Sequence, residues 1–134
     1  MDLNMALIKA DILMAKQGIE IYENNNVREV KNMAAYHLQQ AAEKLIKVQV
    51  YRANIEYDNR QIYVHNLSKL INYANGLNID LNVPKEIVQN SITISEWEAG
   101  SRYDLHFKIR IDTLKKFYNI IYDWYDAIYK TGIR

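Results

Sequence analysis

The sequence predicts an all-α fold, an up-and-down helical bundle of about five helices, on three observations. Apolar residues recur every three to four positions over long stretches, most clearly from Val27 to Val48 and from Ile111 to Ile128. Helix breakers are scarce, because the 134 residues include one proline, Pro84, and four glycines. The run Glu23-Asn24-Asn25-Asn26 separates the first two periodic stretches by so little chain that the helices on either side must run antiparallel. Domains most often run to about 100–150 residues, so residues 1–134 are expected to form a single domain around one core.

The first helix is expected from about Leu3 to Tyr22, with Asp2 as its N-cap and Leu3, Leu7, Ala10, Leu13 or Met14, Gly18 and Ile21 facing inward. Asparagines end it, because their side chains compete for backbone hydrogen bonds and tolerate left-handed turns. The second helix is expected from about Val27 to Arg52, with Val27, Val30, Ala34, Leu38, Ala41, Leu45 and Val48 inward and the alanines admitting a close neighbour. Its length makes it the spine of the bundle. Between Ala53 and Val64 the periodicity fades into a loop, with Ile55, Tyr57 and Tyr63 as candidate buried anchors.

Asn66 is placed to cap a third helix carrying Leu67, Leu70, Ile71 and Ala74, which Gly76 stops. Pro84 suits the first turn of a fourth helix with Ile87, Val88, Ile92 and Trp97, and the β-branched run Ile92-Thr93-Ile94 is a place for a break. Gly100 to His106 reads as an exposed connection. A long last helix from about Lys108 to Lys130 presents Ile111, Leu114, Tyr118, Ile121, Tyr125 and Ile128. Together with Phe117, Ile120 and Trp124, these give it more apolar girth than one bundle face requires, which points to an interface in a homodimer unless the helix is central and buried on most sides.

Composition excludes several function classes. A net charge of +1 provides no global attraction for nucleic acid, so any such binding needs a local patch. With no cysteine there is no disulfide, thiolate metal site or cysteine nucleophile. The N-terminal stretch carries Asp2, Lys9, Asp11 and Lys16 and lacks the apolar run of a signal peptide or membrane span, so a cytoplasmic location and no membrane contact are expected. There is no phosphate loop, dinucleotide-binding glycine pattern, H-E-x-x-H or nucleophile elbow. His37, His65 and His106 are widely separated, so neither a metal site nor a cofactor is expected.

Two constellations remain. On the second helix, Tyr36, Gln39, Gln40, Glu43, Lys44 and Lys47 flank the apolar stripe, and Glu43 and Lys47 have the spacing and order of a helix-surface ion pair worth about 0.2–0.5 kcal/mol. His37 beside the stripe reads as a hydrogen-bonded core residue. In the later connection, Arg102 supplies a fork of donors for phosphate oxygens and His106 can give or take a proton near neutral pH, a pair suited to phosphodiester chemistry. Its structural alternative is a solvated loop with Arg102 paired to Asp104 or Glu98.

The segment Tyr36–Lys47, YHLQQAAEKLIK, resembles the signature of the HEPN family (higher eukaryotes and prokaryotes nucleotide-binding domain). Val64-His65-Asn66-Leu67 is similar to the segment that opens that family's third helix, and Ser101-Arg102-Tyr103 to the one before its last helix. The resemblance implies a small, commonly dimeric helical bundle with a nucleotide- or nucleic-acid-related role. It also implies a minimal nucleotidyltransferase as partner, in a toxin–antitoxin-type system. Lys44, Lys47, His65, Arg102 and Tyr103 are the matching polar positions, expected to bind a nucleotide or another phosphate-bearing ligand. The alternative is a metal-independent endoribonuclease with Arg102 and His106 as catalytic residues across a dimer. The spacer between those two is shorter than the family's ribonuclease motif has, although a separation of four would put both on one face of a helix.

Overall fold

The computed structural model describes residues 3–130, and these are helical without a strand. Seven helices follow in order: α1 (Leu3–Asn25), α2 (Arg28–Arg52), α3 (Asn59–Ile62), α4 (Leu67–Gly76), α5 (Lys85–Gln89), α6 (Ser91–Tyr103) and α7 (Ile111–Tyr129). The five longer ones are the expected bundle helices, and α3 and α5 are single turns added in the connections. Asp2, expected as a cap, lies outside the described residues, as does the side chain of Leu3.

α2 is the spine, in contact with α1, α4, α6 and α7. Its inward face is Ala34, Ala35, Leu38, Ala41, Ala42, Leu45, Ile46 and Val48, all buried. Burying leucines such as Leu38 and Leu45 stabilises by roughly 2 kcal/mol each, while the alanines let neighbours come near. On α1 the counterpart is Gly18, where a Cβ would lie 2.9 Å from the Val30 carbonyl oxygen and 3.0 Å from the Ala34 Cβ. Lys115 of α7 meets Glu23 of α1 (2.6 Å), and Arg52 of α2 lies 4.6 Å over the Tyr129 ring of α7. α7 therefore runs antiparallel to α1 and parallel to α2, the outcome of an up-down-up-down path through α1, α2, α6 and α7.

Several local expectations are met. Asn26 adopts a left-handed conformation (φ 55°) and ends α1, and Asn54 and Asn78 do the same after α2 and α4. The Asn66 side chain accepts the Lys69 N–H at 3.1 Å and caps α4, whose Leu67, Leu70, Ile71 and Ala74 are all buried. Asp58 caps α3 by accepting the Arg60 N–H. That hydrogen bond, with the Arg60 side chain, holds the Asp58 carboxyl below the usual range.

Others are corrected. On α1 Gly18 faces inward as expected, but Leu7, Leu13, Met14 and Ile21 are 43–50% exposed, Ala10 is exposed too, and the core takes Ile8, Ile12, Ala15 and Ile19. Val27 precedes α2 and is exposed. In the connection after α2 the anchor is Ile62, while Ile55, Tyr57 and Tyr63 face solvent. The fourth helix is two, broken at Asn90 ahead of the β-branched run, with Val88 and Ile92 exposed and Ile87, Ile94 and Trp97 buried. α6 continues through Gly100, so Arg102 and Tyr103 belong to its last turn and not to a loop. α7 starts at Ile111, because the backbone of Arg110 before it is extended and not helical. Its apolar surplus stays inside the chain: Phe117, Ile121, Trp124 and Tyr125 are buried, and Tyr118, Ile120 and Ile128 are partly covered.

Candidate functional site

The polar residues of Tyr36–Lys47 cover one continuous face of α2, because Tyr36, Gln40, Lys44 and Lys47 recur every three to four positions with His37, Gln39 and Glu43 beside them. This face is half-buried between α1 and the start of α4, and two carboxylates organise it. Asp11 of α1 accepts from His37 Nδ1 (2.9 Å) and from Lys44 Nζ (2.5 Å). Glu43 accepts from Lys47 Nζ (3.0 Å), His65 Nδ1 (2.8 Å) and Gln39 Nε2 (3.2 Å). Gln39 Nε2 also donates to the His65 carbonyl (3.0 Å), and Gln40 Nε2 donates to Gln39 Oε1 (2.8 Å).

The expected surface pair of Glu43 and Lys47 is therefore an interior network, since Gln39 is 0% and Glu43 4% exposed. Buried charges persist only when paired and hydrogen-bonded, and here each carboxylate oxygen of Glu43 has a donor. A carboxylate can only accept, so His65 donates to Glu43 through Nδ1, from a side chain that is 62% exposed. His37 is the hydrogen-bonded, half-buried residue expected. Asp11 went unnoticed in the sequence, because its partners are far along the chain.

At the other end of this face, α6 delivers Arg102. Its guanidinium lies 4.7 Å over the Tyr36 ring and 4.8 Å over the Tyr103 ring, a cation between two aromatic rings. Arg102 Nε donates to the Glu98 carbonyl (3.0 Å), and a second nitrogen pairs with the Glu98 carboxylate. Glu98 is the partner that the structural alternative named. Tyr103 is 74% exposed and presents its ring to solvent beside the cation.

The structure brings Tyr36, Arg102 and Tyr103 together but holds Lys47 and His65 apart from them. Lys47 lies eleven positions beyond Tyr36 on α2, about 16 Å at 1.5 Å per residue. Lys44 and Lys47 are each held by a buried carboxylate. His106 is exposed in a turn beyond the end of α6, its N–H donating to Asp104 Oδ1 (2.8 Å). Arg102 and His106 therefore do not share a helix face, because α6 ends at Tyr103. No group of three His, Asp or Glu side chains able to hold a metal ion occurs among the described residues, and none of the described helices is long and apolar enough to cross a membrane.

The geometry ties the signature helix to the segment before the last helix through the contact of Tyr36 with Arg102. Comparison with known proteins bears on the same segments. No curated protein and no solved structure matches the chain. The family model described as the HEPN domain matches residues 11–125, a span that runs from Asp11 in α1 to Tyr125 in α7 and takes in both ends of the polar face. With most of its length matched and the helical bundle in place, this chain belongs to the HEPN domain family.

Proposed function

We propose that this protein is a nucleotide-binding HEPN module, a single domain working in the cytoplasm as a homodimer, and that the Tyr36–Arg102–Tyr103 cluster is its ligand surface. The observation that carries the reading is the Arg102 guanidinium held between the two tyrosine rings, next to the exposed Tyr103 face. A planar cation beside an exposed ring suits a nucleobase stacked on the ring and a phosphate on the free guanidinium edge. Lys44 and Lys47, further along α2, and His65, in the connection before α4, are the other polar positions assigned to ligand binding, at a distance from this cluster. A nucleotidyltransferase that brings its own nucleotide to this face, within a toxin–antitoxin-type pair, is the partner we propose.

Thermal unfolding and calorimetry with adenine and guanine nucleotides test this directly. A ligand at a hundred times its Kd should stabilise the fold by about 2.7 kcal/mol. Arg102→Gln and Tyr103→Ala should abolish that gain while leaving the unliganded midpoint nearly unchanged. Absence of binding by the unsubstituted chain, alone and with a nucleotidyltransferase, would remove the reading. The endoribonuclease alternative has a thinner basis, since His106 lies past the helix end, off the helix that carries Arg102. RNA cleavage that is lost in His106→Ala would reinstate it.

A further inference from the structure

A different part of the molecule carries its own charge pattern. Tyr22 near the end of α1, Arg28 and Lys31 at the start of α2, and residues 108–112 leading into α7 line a cleft of about 530 Å³. Its lining holds four cations, Arg28, Lys31, Lys108 and Arg110, against one acid, Asp112. In a chain with a net charge of +1 this is a local concentration of positive charge.

The backbone explains how the cations come to share the cleft. Residues 107–110 lie outside any helix and their exposure alternates: Ile109 is buried, while Lys108 and Arg110 stand out in solvent. Phe107 anchors the segment by seating its ring against Gly100, where a Cβ would lie 2.9 Å from the ring. Arg28 donates to the Leu105 carbonyl (2.7 Å) and ties the same segment to α2, with other guanidinium donors left over. Lys31 is held 4.7 Å over the Tyr22 ring. The side chains of Lys108 and Arg110 make no hydrogen bond or ion pair with other described residues.

Stability accounts for only part of this arrangement, since Arg28 is compensated by its bond to the Leu105 carbonyl but the Arg110 side chain has no such contact among the described residues. Arg28 is the first residue of α2 and Arg110 the N-cap residue of α7, and neither helix has a side-chain cap. The N-terminal end of a helix carries partial positive charge and favours Asp, Ser or Asn, so both arginines oppose the local field. Side chains that break a local rule without a compensating contact are expected at functional sites.

We propose that this cleft is an anion site, separate from Arg102, that holds the sugar–phosphate backbone of a single nucleic-acid strand without reading its bases. The cations are spread over three chain segments along an open cleft, which suits successive phosphates. The one aromatic ring in the lining is already covered by Lys31, so no platform remains for a base. A concave cleft of this size admits a strand but not the broad face of a folded protein.

The test is fluorescence anisotropy with a labelled oligothymidine of about 12 nucleotides, which the ribonuclease alternative could not cleave. Log affinity should fall against log salt with a slope of about −2.8, four contacts at about −0.7 each. Lys108→Gln with Arg110→Asn should halve that slope to about −1.4 and weaken binding at least ~10-fold at low salt. The same pair should leave the thermal midpoint equal or higher, because Asn caps α7 where Arg cannot. Arg102→Gln should bind the strand as the unsubstituted chain does, so nucleotide binding at Arg102 can fail without affecting this result. An unchanged slope in the double variant, no binding by the unsubstituted chain, or displacement of the strand by polyglutamate at equal charge would overturn the assignment.

Discussion

At the scale of single residues, Glu43 shows how a familiar spacing can hide a different role. An acid four positions before a lysine on a helix is the pattern of a surface pair. Here the acid is buried, and its other oxygen is filled by His65 and Gln39. Only the Lys47 contact is visible from local spacing, since His65 lies on another element. Asp11 is hidden for the same reason, and it holds both His37 and Lys44. Arg102 and Tyr103 were legible as functional candidates, whereas the stacking of Arg102 on Tyr36 was not, because nothing local links α6 to α2. Glu43→Ala should cost about 3 kcal/mol in urea unfolding, the lower end for breaking a buried pair, because Lys47 and His65 can still reach water. Glu43→Gln should cost less by keeping the Gln39 contact, and equal losses for both variants would show that the charge alone carries the interaction and the Gln39 contact adds nothing.

Among the elements, α4 and α7 were legible because each has one dominant apolar face and, for α4, a capping asparagine, and α2 because its apolar periodicity runs unbroken over a long stretch. α1 misled because it is apolar on two faces. Leu7, Ala10, Met14 and Ile21 recur as regularly as Ile8, Ile12, Ala15 and Ile19, and periodicity alone does not say which set faces inward. What decides is the neighbour: the close approach at Gly18 fixes the rotation of α1 against Ala34 of α2. Gly18→Ala should therefore destabilise by about 1–3 kcal/mol through overpacking, although alanine is the better helix former. A gain in stability on thermal unfolding would mean that the two helices are not packed this tightly. α6 was cut short in the sequence reading because Gly100 looks like a stop, yet the Phe107 ring occupies the space where a side chain would stand. The break at Asn90 and the single turns α3 and α5 are too short for periodicity to register.

For the whole molecule, the bundle class was readable from periodicity and scarce breakers, whereas the surface that would join two copies was not. The aromatic girth of α7 is absorbed by its own chain. Among the apolar residues left in water, Leu7, Met14 and Ile21 of α1 form one stripe at 47%, 50% and 43% exposure. We expect the homodimer to form along this stripe, with Met14→Glu giving the mass of one chain in light scattering where the unsubstituted protein gives two. A monomer in both would refute the dimer. The packing of α1 on α2 also has a consequence in time. Asn26 and Val27 alone join these helices, so the hairpin closes a short loop, whereas α7 must find α1 across most of the chain. The hairpin should thus be the nucleus of folding, and the close contact at Gly18 should be largely formed in the transition state. Its disturbance in Gly18→Ala would then appear as slower refolding more than as faster unfolding.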